Sequence, residues 1–190
     1  MSRRAVFLDK DGTLIEDVPY NTDPLRITLC HGAGAALRLL ARLDYRFIVV
    51  SNQDGVAHGK FGEAQLEPVR DRLGDLLFRE QLGMDGFYYC PHHPNGKVQG
   101  YSLDCLCRTP MPGMLLQAAR EHDIDLHASW MIGDILHDVE AGNRAGCRTV
   151  LIDSGNETEW RLGNHRLPTR VVSDIYAAAV VIAAEEGANR

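Results

Sequence analysis

An acidic turn directly after the first apolar run is the feature that most constrains how this chain can fold. Residues 5–8 are apolar and are followed at once by Asp9, Lys10, Asp11, Gly12 and Thr13. A short apolar run that ends in a glycine turn predicts a buried strand and then a sharp change of direction. Two carboxylates one residue apart at such a tip can take different roles in phosphoryl transfer, one as nucleophile and the other as general acid and base. A solvated acidic turn without a catalytic role is the simpler alternative.

Short apolar runs alternate with amphipathic segments along the rest of the 190 residues. The predicted strands cover residues 5–8, 47–50, 86–89, 129–132 and 147–152, with a short sixth at 171–172. The predicted helices cover residues 33–43, 63–82, 112–122, 135–145 and 175–186. This alternation predicts an α/β fold, a Rossmann-like doubly wound parallel sheet with helices on both faces. Neither a linker nor a repeat divides the chain, so we expect a single domain over residues 1–190.

Polar side chains follow three of the predicted strands, and the carboxyl ends of parallel strands share one edge of a sheet. Asp9 and Asp11 follow the first strand, Ser51 and Asn52 follow the second, and Asp134 follows the fourth. If these strands are neighbours, three carboxylates and a hydroxyl meet in one crevice, where Asp134 would complete an oxygen site for Mg²⁺. Ser51 and Asn52 are also residue types that cap helices and turns, which is the alternative for both.

Three of the five cysteines lie in one short segment together with a histidine. Cys90, His92, Cys105 and Cys107 supply three thiols and an imidazole, which is a ligand set for a structural, tetrahedral Zn²⁺ with no open position. The segment between them contains little that can pack, so a metal clip over residues 90–107 would supply order that burial cannot. Buried free cysteines beside surface histidines are the alternative, and His93 is a rival to His92 as a ligand.

Composition limits the classes of partner. The formal net charge is −6 and the chain has no basic patch, which argues against nucleic acid and against anionic membrane surfaces as partners. No apolar stretch approaches the roughly 20 residues of a membrane span, and charged residues interrupt the first apolar run too early for a signal peptide. We therefore expect a cytoplasmic, monomeric protein with reduced cysteines and a small-molecule substrate.

Three segments resemble the first, second and fourth motifs of the haloacid-dehalogenase phosphatase superfamily in their order and spacing: FLDKDGTL, VVSNQDG and MIGDILHD. The resemblance implies Asp9 as the nucleophile and Asp11 as the general acid and base. It implies Mg²⁺ held by the Asp9 side chain, the Asp11 main-chain carbonyl and Asp134. It also implies that Ser51 donates a hydrogen bond to the transferring phosphoryl group and that Asn52 shapes the phosphate pocket.

A fourth segment, YCPHHPNGKVQGYSLDCLCRTPMPGM, is similar to the zinc loop of the heptose-bisphosphate phosphatase family within that superfamily. The similarity implies zinc on Cys90, His92, Cys105 and Cys107, contact between Arg108 and the substrate, and no large cap domain. It implies hydrolysis of the carbon 7 phosphate of a heptose 1,7-bisphosphate, in the synthesis of surface glycans. Two alternatives stay open. One is a phosphatase for another small substrate such as histidinol phosphate, whose family has a shorter loop, and the other is a phosphate-binding module without turnover.

Two positions near the expected phosphate pocket depart from the family pattern. The family has Lys after Arg108, and often has Lys after Asp134, where this chain has Thr109 and Ile135. The first lysine normally neutralises the attacking carboxylate and the phosphate, so Thr109 brings a hydroxyl to that pocket but no charge. Asp138 would normally brace that lysine, so we expect it to lack its usual partner.

Two further departures lie in and just after the second motif. Asp54 stands where the family usually has Ser, and His58 stands where it usually has Arg. For all four departures, neutral divergence and an altered or weakened site are both open from the sequence.

Overall fold

The strands of this protein form one parallel sheet. The computed structural model describes residues 3–161 and 163–188. The strands are β1 (Arg4–Asp9), β2 (Tyr45–Asn52), β3 (Gly86–Cys90), β4 (Trp130–Gly133), β5 (Arg148–Ile152) and β6 (Arg170–Val172). They lie in the order β3-β2-β1-β4-β5-β6, and every pairing is parallel. The predicted fold class is therefore confirmed, and the short sixth strand is present at one edge.

Among the described residues, four helices each join two strands and a fifth follows β6: α1 (Ala33–Ala41), α2 (Leu66–Arg79), α3 (Gly113–His122), α4 (Leu136–Ala145) and α5 (Ile175–Ala188). The predicted helix over residues 63–82 is shorter in the structure because Glu63–Gln65 forms a 3-10 turn instead. The Gln65 side chain accepts a hydrogen bond from the Gly62 backbone N–H, which satisfies one of the donors left free where a helix begins.

Helices cover both faces of the sheet. Val6 and Leu8 of β1 pack into a core that includes side chains of α1, α2 and α5, whereas Ala5 and Phe7 pack into a second core with α3 and α4. All four side chains are fully buried, as expected for a central parallel strand that is apolar on both faces. Among the described residues, no helix combines the length and the apolarity that a membrane crossing requires.

The sheet order places the polar strand ends together. β1 is central, with β2 on one side and β4 on the other. The chain therefore winds outward in one direction through β2 and β3 and in the other through β4, β5 and β6. A crevice forms at the carboxyl ends of the strands where the winding direction reverses, which here is between β1 and β4. Within the described residues, no additional sheet or helical layer covers this edge.

Candidate active site

Three carboxylates from distant parts of the chain meet at the carboxyl edge of the sheet. Asp9 ends β1, Asp134 follows β4, and Asp138 lies in the first turn of α4. Oxygen atoms of these three side chains lie within 4.8 Å of one another. We call these residues the aspartate cluster. It opens into a cavity of about 310 Å³, lined by Asp9, Asp11, Asp17, Ser51, Asn52, Asp134, Ile135, Asp138 and Asn156.

A glycine makes this close approach sterically feasible. Gly12 has a φ of 79°, a backbone conformation that residues with a Cβ atom rarely adopt. A Cβ atom at this position would lie 2.2 Å from the Asp134 Oδ2 atom and 2.7 Å from the Asn156 Nδ2 atom. The Asn156 amide in turn donates a hydrogen bond to Asp134 Oδ2 at 2.6 Å. Sequence reasoning missed Asn156, because a polar residue in a long connection gives no local signal of its contact with β4.

Burial of like charges dominates the electrostatics of the aspartate cluster. Burial raises the pKa of Asp9 well above its ordinary value, and the carboxylates of Asp138, Asp134 and Asp11 raise it further. Burial and the Asp134 carboxylate likewise raise the pKa of Asp138. The Asp138 Oδ2 atom has no hydrogen-bond partner among the described residues. Grouped carboxylate oxygens are the ligand set that a hard divalent cation prefers, so these residues fit Mg²⁺.

The second aspartate of the acidic turn has its own partners. Lys10, which is 2% exposed, places its Nζ atom 2.7 Å from Asp11 Oδ1. Gln53 Nε2 donates to Ser51 Oγ at 2.7 Å and lies 3.5 Å from Asp11 Oδ2. Gln53 therefore connects the tip of β2 to the acidic turn. Its position two residues after Ser51 is the only sequence signal that could have identified it.

The position of the expected third-motif cation contains a hydroxyl instead. Thr109 is 3% exposed, and its Oγ1 atom accepts a hydrogen bond from Asn52 Nδ2 at 2.7 Å. The Thr109 backbone N–H donates to Asn52 Oδ1 at 3.1 Å. These two bonds fix Thr109 to the tip of β2. The neighbouring Arg108 donates to the His92 carbonyl and pairs with the Asp54 carboxylate at 3.4 Å, so its charge is directed toward Asp54.

The Cys/His group, defined as Cys90, His92, Cys105 and Cys107, comes together as the spacing predicts. The three sulfur atoms lie 3.0–3.3 Å apart, and His92 Nδ1 lies 3.5 Å from the Cys107 sulfur and 3.7 Å from the Cys90 sulfur. Hydrogen bonding with the Cys90 thiol lowers the pKa of Cys107 to about 5. Three sulfurs and one imidazole nitrogen around a common centre, with one thiol readily ionised, fit a four-coordinate zinc ion.

The histidine next to it belongs to a different group. His93 lies with Asp54 and His58, with ligand atoms within 4.8 Å of one another and the two imidazole centroids 4.8 Å apart. The Asn95 backbone N–H donates to His93 Nδ1 at 3.1 Å. Of the two candidate ligands that the sequence leaves open, the structure therefore brings His92, and not His93, to the three sulfurs.

The loop over residues 90–107 is attached to the second-motif segment beside the crevice. The backbone N–H groups of Lys97 and Val98 both donate to the Ala57 carbonyl, at 2.7 and 2.9 Å. The hydroxyls of Tyr89 and Tyr101 donate to the two oxygens of Glu63, each at 2.7 Å. A further cavity of about 260 Å³ opens on this side of the acidic turn, lined by Lys10, Asp11, Asp17, Val18, Pro19, Tyr20, Asn21, Asn52, Gln53, Asp54, Gly55 and Phe61.

Comparisons with known proteins agree with this geometry. Residues 106–178 match the family model described as HAD-hydrolase-like. A D-glycero-beta-D-manno-heptose-1,7-bisphosphate 7-phosphatase of Salmonella typhi is 38% identical over 169 residues, which cover 84% of this chain and 90% of that protein.

Two solved structures are similar to the whole fold. A putative HAD-like phosphatase from Mesorhizobium loti superposes with a TM-score of 0.82 at 31% identity, covering 96% of this chain and 86% of that one. The D,D-heptose 1,7-bisphosphate phosphatase from B. bronchiseptica, complexed with magnesium and phosphate, gives a TM-score of 0.79 at 29% identity. That alignment covers 96% of this chain and 99% of the other.

Proposed function

This chain belongs to the haloacid-dehalogenase-like phosphatases, and we propose from that premise that it removes the carbon 7 phosphate of D-glycero-D-manno-heptose 1,7-bisphosphate. The observation that carries the proposal is the meeting of Asp9, Asp11 and Asp134 at adjacent strand tips around one cavity. The name of the Salmonella typhi relative and the magnesium and phosphate in the B. bronchiseptica structure support the substrate and the metal.

The reaction has two steps, in which the two aspartates of the acidic turn take different roles. In the first step a carboxylate oxygen of Asp9 attacks phosphorus and the bond from phosphorus to the sugar oxygen breaks. Asp11 gives its proton to that leaving oxygen. In the second step Asp11 takes a proton from water, the resulting hydroxide attacks phosphorus, and the bond to Asp9 breaks. Inorganic phosphate is released, and both carboxyl groups return to their starting states.

The surrounding side chains hold and orient these groups. Gln53 fixes the Ser51 hydroxyl, which would donate to a phosphoryl oxygen, and it lies beside Asp11. Lys10 forms an ion pair with Asp11, which holds that carboxyl group in place at the edge of the cavity. Asn52 and Thr109, which hold each other, would form the wall of the phosphate pocket. Arg108 would contact the distal part of the sugar phosphate after release from Asp54.

The residues that would hold Mg²⁺ are Asp9, Asp134 and the main-chain carbonyl of Asp11. Their oxygens satisfy the preference of that ion for a few carboxylates plus substrate phosphate. When bound, Mg²⁺ neutralises charge on the phosphoryl group and keeps the Asp9 carboxylate ionised despite its burial. The Cys/His group would hold a structural zinc ion that orders the loop beside the pocket.

Replacement of the nucleophile tests the mechanism. Asp9→Asn should abolish release of phosphate from the heptose bisphosphate in the presence of Mg²⁺, because an amide oxygen does not form the covalent intermediate. The matched control is Asp44→Asn, an exposed residue with a φ of 63°, a conformation that Asn also tolerates. Equal rates for Asp9→Asn and wild type would contradict the mechanism, and a faster rate with histidinol phosphate would contradict the substrate.

A phosphate-binding module without turnover is the second candidate. Its support is the absence of a lysine at Thr109, since a hydroxyl does not neutralise the attacking carboxylate. Failure of the wild-type protein to release phosphate, together with tight binding of phosphate in the presence of Mg²⁺, would favour this module over the enzyme.

A further inference from the structure

A third group of metal-ligand side chains lies apart from the two sites described above. Asp54, His58 and His93 each contribute one ligand atom, and these atoms lie within 4.8 Å of one another. We call these residues the Asp/His group. All three are partly buried, and the group shares no residue with the aspartate cluster or with the Cys/His group. An ion bound here would therefore have its own ligands.

The backbone holds these side chains together without an ion. The His58 backbone N–H donates to the Asp54 carbonyl at 2.9 Å, so one turn presents both side chains. The His93 backbone N–H donates to the Tyr101 carbonyl at 3.1 Å, which fixes the third ligand in its loop. The two hydrogen bonds to the Ala57 carbonyl then join that loop to the turn. The ligands come from two segments that the fold already holds side by side.

Two imidazoles and one carboxylate suit a divalent transition-metal ion. Imidazole nitrogen is a ligand for zinc, copper, iron and nickel, whereas Mg²⁺ prefers a shell of oxygen atoms. The Asp/His group therefore selects a different ion from the aspartate cluster. Three protein ligands also leave at least one position open to water, unlike the closed set of three sulfurs and one nitrogen in the Cys/His group. An ion in such an open site is exchangeable.

Two of the three ligands are departures from the family pattern. Asp54 stands where the family usually has Ser, and His58 stands where it usually has Arg. Each change brings in a metal-ligating side chain, since arginine has no acceptor atom and serine has no charge. The structure brings both new side chains to His93. A shared ligand gives the two departures one common explanation.

Two existing contacts oppose the ion, and both can be given up. His93 Nδ1 accepts a hydrogen bond from the Asn95 backbone N–H. Whichever ring nitrogen binds the ion, that bond is lost, but Asn95 is exposed and its N–H can turn to water at little cost. Asp54 pairs with Arg108 at 3.4 Å, and both side chains are partly exposed. A pair of this kind stabilises the protein little, so a directly coordinated divalent ion can displace the guanidinium.

We propose that the Asp/His group binds an exchangeable divalent transition-metal ion, and that this ion releases Arg108 from Asp54. The ion takes over the carboxylate and repels the guanidinium. The exchange takes place beside the 260 Å³ cavity that Asp54 lines, so the released Arg108 can meet the distal phosphate of the substrate. This effect on the substrate rests on the proposed phosphatase function, whereas the binding of the ion does not.

Binding is measured with Co²⁺ as the probe. The protein carries no polyhistidine tag, keeps zinc in the Cys/His group and is saturated with Mg²⁺. A calorimetric titration should give about one Co²⁺ per chain. The absorption spectrum should lack the intense near-ultraviolet band that thiolate ligands give to Co²⁺, and the zinc content should not change. That band, or loss of zinc during the titration, would place Co²⁺ on the cysteines and overturn the site.

Two variants locate the ion, and a third serves as control. His58→Gln and Asp54→Ser should each lose Co²⁺ binding, because each removes one of the three ligands. Both replace partly exposed side chains, so their melting temperatures without Co²⁺ should stay close to the wild-type value. His165→Gln, at an exposed histidine outside the group, should bind Co²⁺ as the wild type does. Full Co²⁺ binding in both ligand variants would overturn the ligand set.

The KM for the heptose bisphosphate reports the release of Arg108. Co²⁺ should lower the wild-type KM about tenfold, the equivalent of one hydrogen bond to a charged group, and should leave kcat unchanged. His58→Gln should keep the metal-free KM at every Co²⁺ concentration, because Asp54 still holds Arg108. Asp54→Ser should have a low KM without Co²⁺, because the arginine has lost its partner.

The outcomes separate this inference from the proposed function. Co²⁺ binding that both ligand variants abolish, without phosphate release from any ester, would keep the metal site and overturn the phosphatase. Phosphate release by a protein that binds no Co²⁺ would overturn the metal site and leave the phosphatase intact. Co²⁺ binding that leaves the KM unchanged would overturn the release of Arg108.

Discussion

The aspartate cluster and the Cys/His group are both built to hold a cation, but the chain assembles them in opposite ways. The cluster draws on β1 and on the segment after β4, more than a hundred residues apart, and only the sheet order brings them together. The Cys/His group lies within residues 90–107, so one loop supplies all four of its ligands. The cluster is therefore a product of the fold, whereas the Cys/His group helps to create its own local fold.

The difference extends to energetics. In the cluster, burial and like charges raise the pKa values of Asp9 and Asp138, so the ionised site opposes folding. In the Cys/His group, neutral and ionised sulfurs hydrogen-bond one another, and the pKa of Cys107 falls to about 5. Catalytic sites commonly retain unfavourable buried charges of this kind, whereas structural metal sites contribute favourably to the free energy of folding. The comparison predicts that damage to one site costs stability and damage to the other can increase it.

Loss of Cys107, a ligand of the proposed zinc site, should have the largest effect on stability. Cys107→Ser replaces a thiolate with a hydroxyl, so the zinc content should fall well below one ion per chain. The loop should lose its order, the free energy of unfolding should fall by about 3 kcal/mol or more, and the melting temperature should fall by about 10 °C. Metal analysis and calorimetry measure both quantities.

The control for this variant is Cys30→Ser, which also removes a thiol but lies outside the Cys/His group. It should keep one zinc per chain. Full zinc content and an unchanged melting temperature in Cys107→Ser would end the contrast between a structural and a functional metal site.

Removal of the Asn156 amide should have an intermediate effect, this time on metal affinity. Asn156→Ala takes away the donor to Asp134 Oδ2. Residues that orient metal ligands typically contribute about 10–100-fold to affinity, and because Asn156 is exposed we expect a loss near tenfold for Mg²⁺. A Mg²⁺ titration followed by calorimetry measures it. Asn164→Ala, an exposed residue without that contact, should bind Mg²⁺ as the wild type does; a similar loss in both would contradict a specific role for Asn156.

The same contrast explains what the sequence could predict. The alternating pattern gave the six strands, and polar residues at three strand ends gave Asp9, Ser51 and Asp134, because both signals are local. The ligand spacing of the Cys/His group is also local, and it assembles as expected. By contrast, the partners that complete the site, namely Gln53 and Asn156, act through contacts that only the folded chain brings about.

The departures from the family pattern were visible in the sequence, but the contacts that Thr109 and Arg108 make instead were not. That Thr109 lacks a charge follows from its identity. Two further features depend on rotamers and loop geometry: Asn52 holds the Thr109 hydroxyl, and Arg108 pairs with Asp54. The missing lysine also predicted that Asp138 lacks its usual partner, and the Asp138 Oδ2 atom has no hydrogen-bond partner among the described residues.

Asp138→Asn should have the smallest effect, and it should be stabilising when metal is absent. An amide keeps an acceptor for the Ile135 backbone N–H and removes the buried charge. In buffer without Mg²⁺, we expect the free energy of unfolding to rise by about 1–2 kcal/mol at neutral pH, the cost of an unsatisfied buried polar group.

The pH dependence of that gain gives the sharpest test. The folded pKa of Asp138 lies above the ordinary value of 3.8, so the folded protein holds this proton at pH values where the unfolded chain has lost it. Wild-type stability therefore falls, through this group, as the pH rises from about 4 toward the folded pKa. The variant cannot lose that proton, so its advantage should vanish near pH 4 and grow as the pH rises. Asp153→Asn, which removes an exposed carboxylate after β5, should have no such advantage at any pH. If the stability advantage of Asp138→Asn did not shrink on acidification, the Asp138 carboxylate would already have a partner. The aspartate cluster and the Cys/His group would then differ in their ligands but not in their effect on folding.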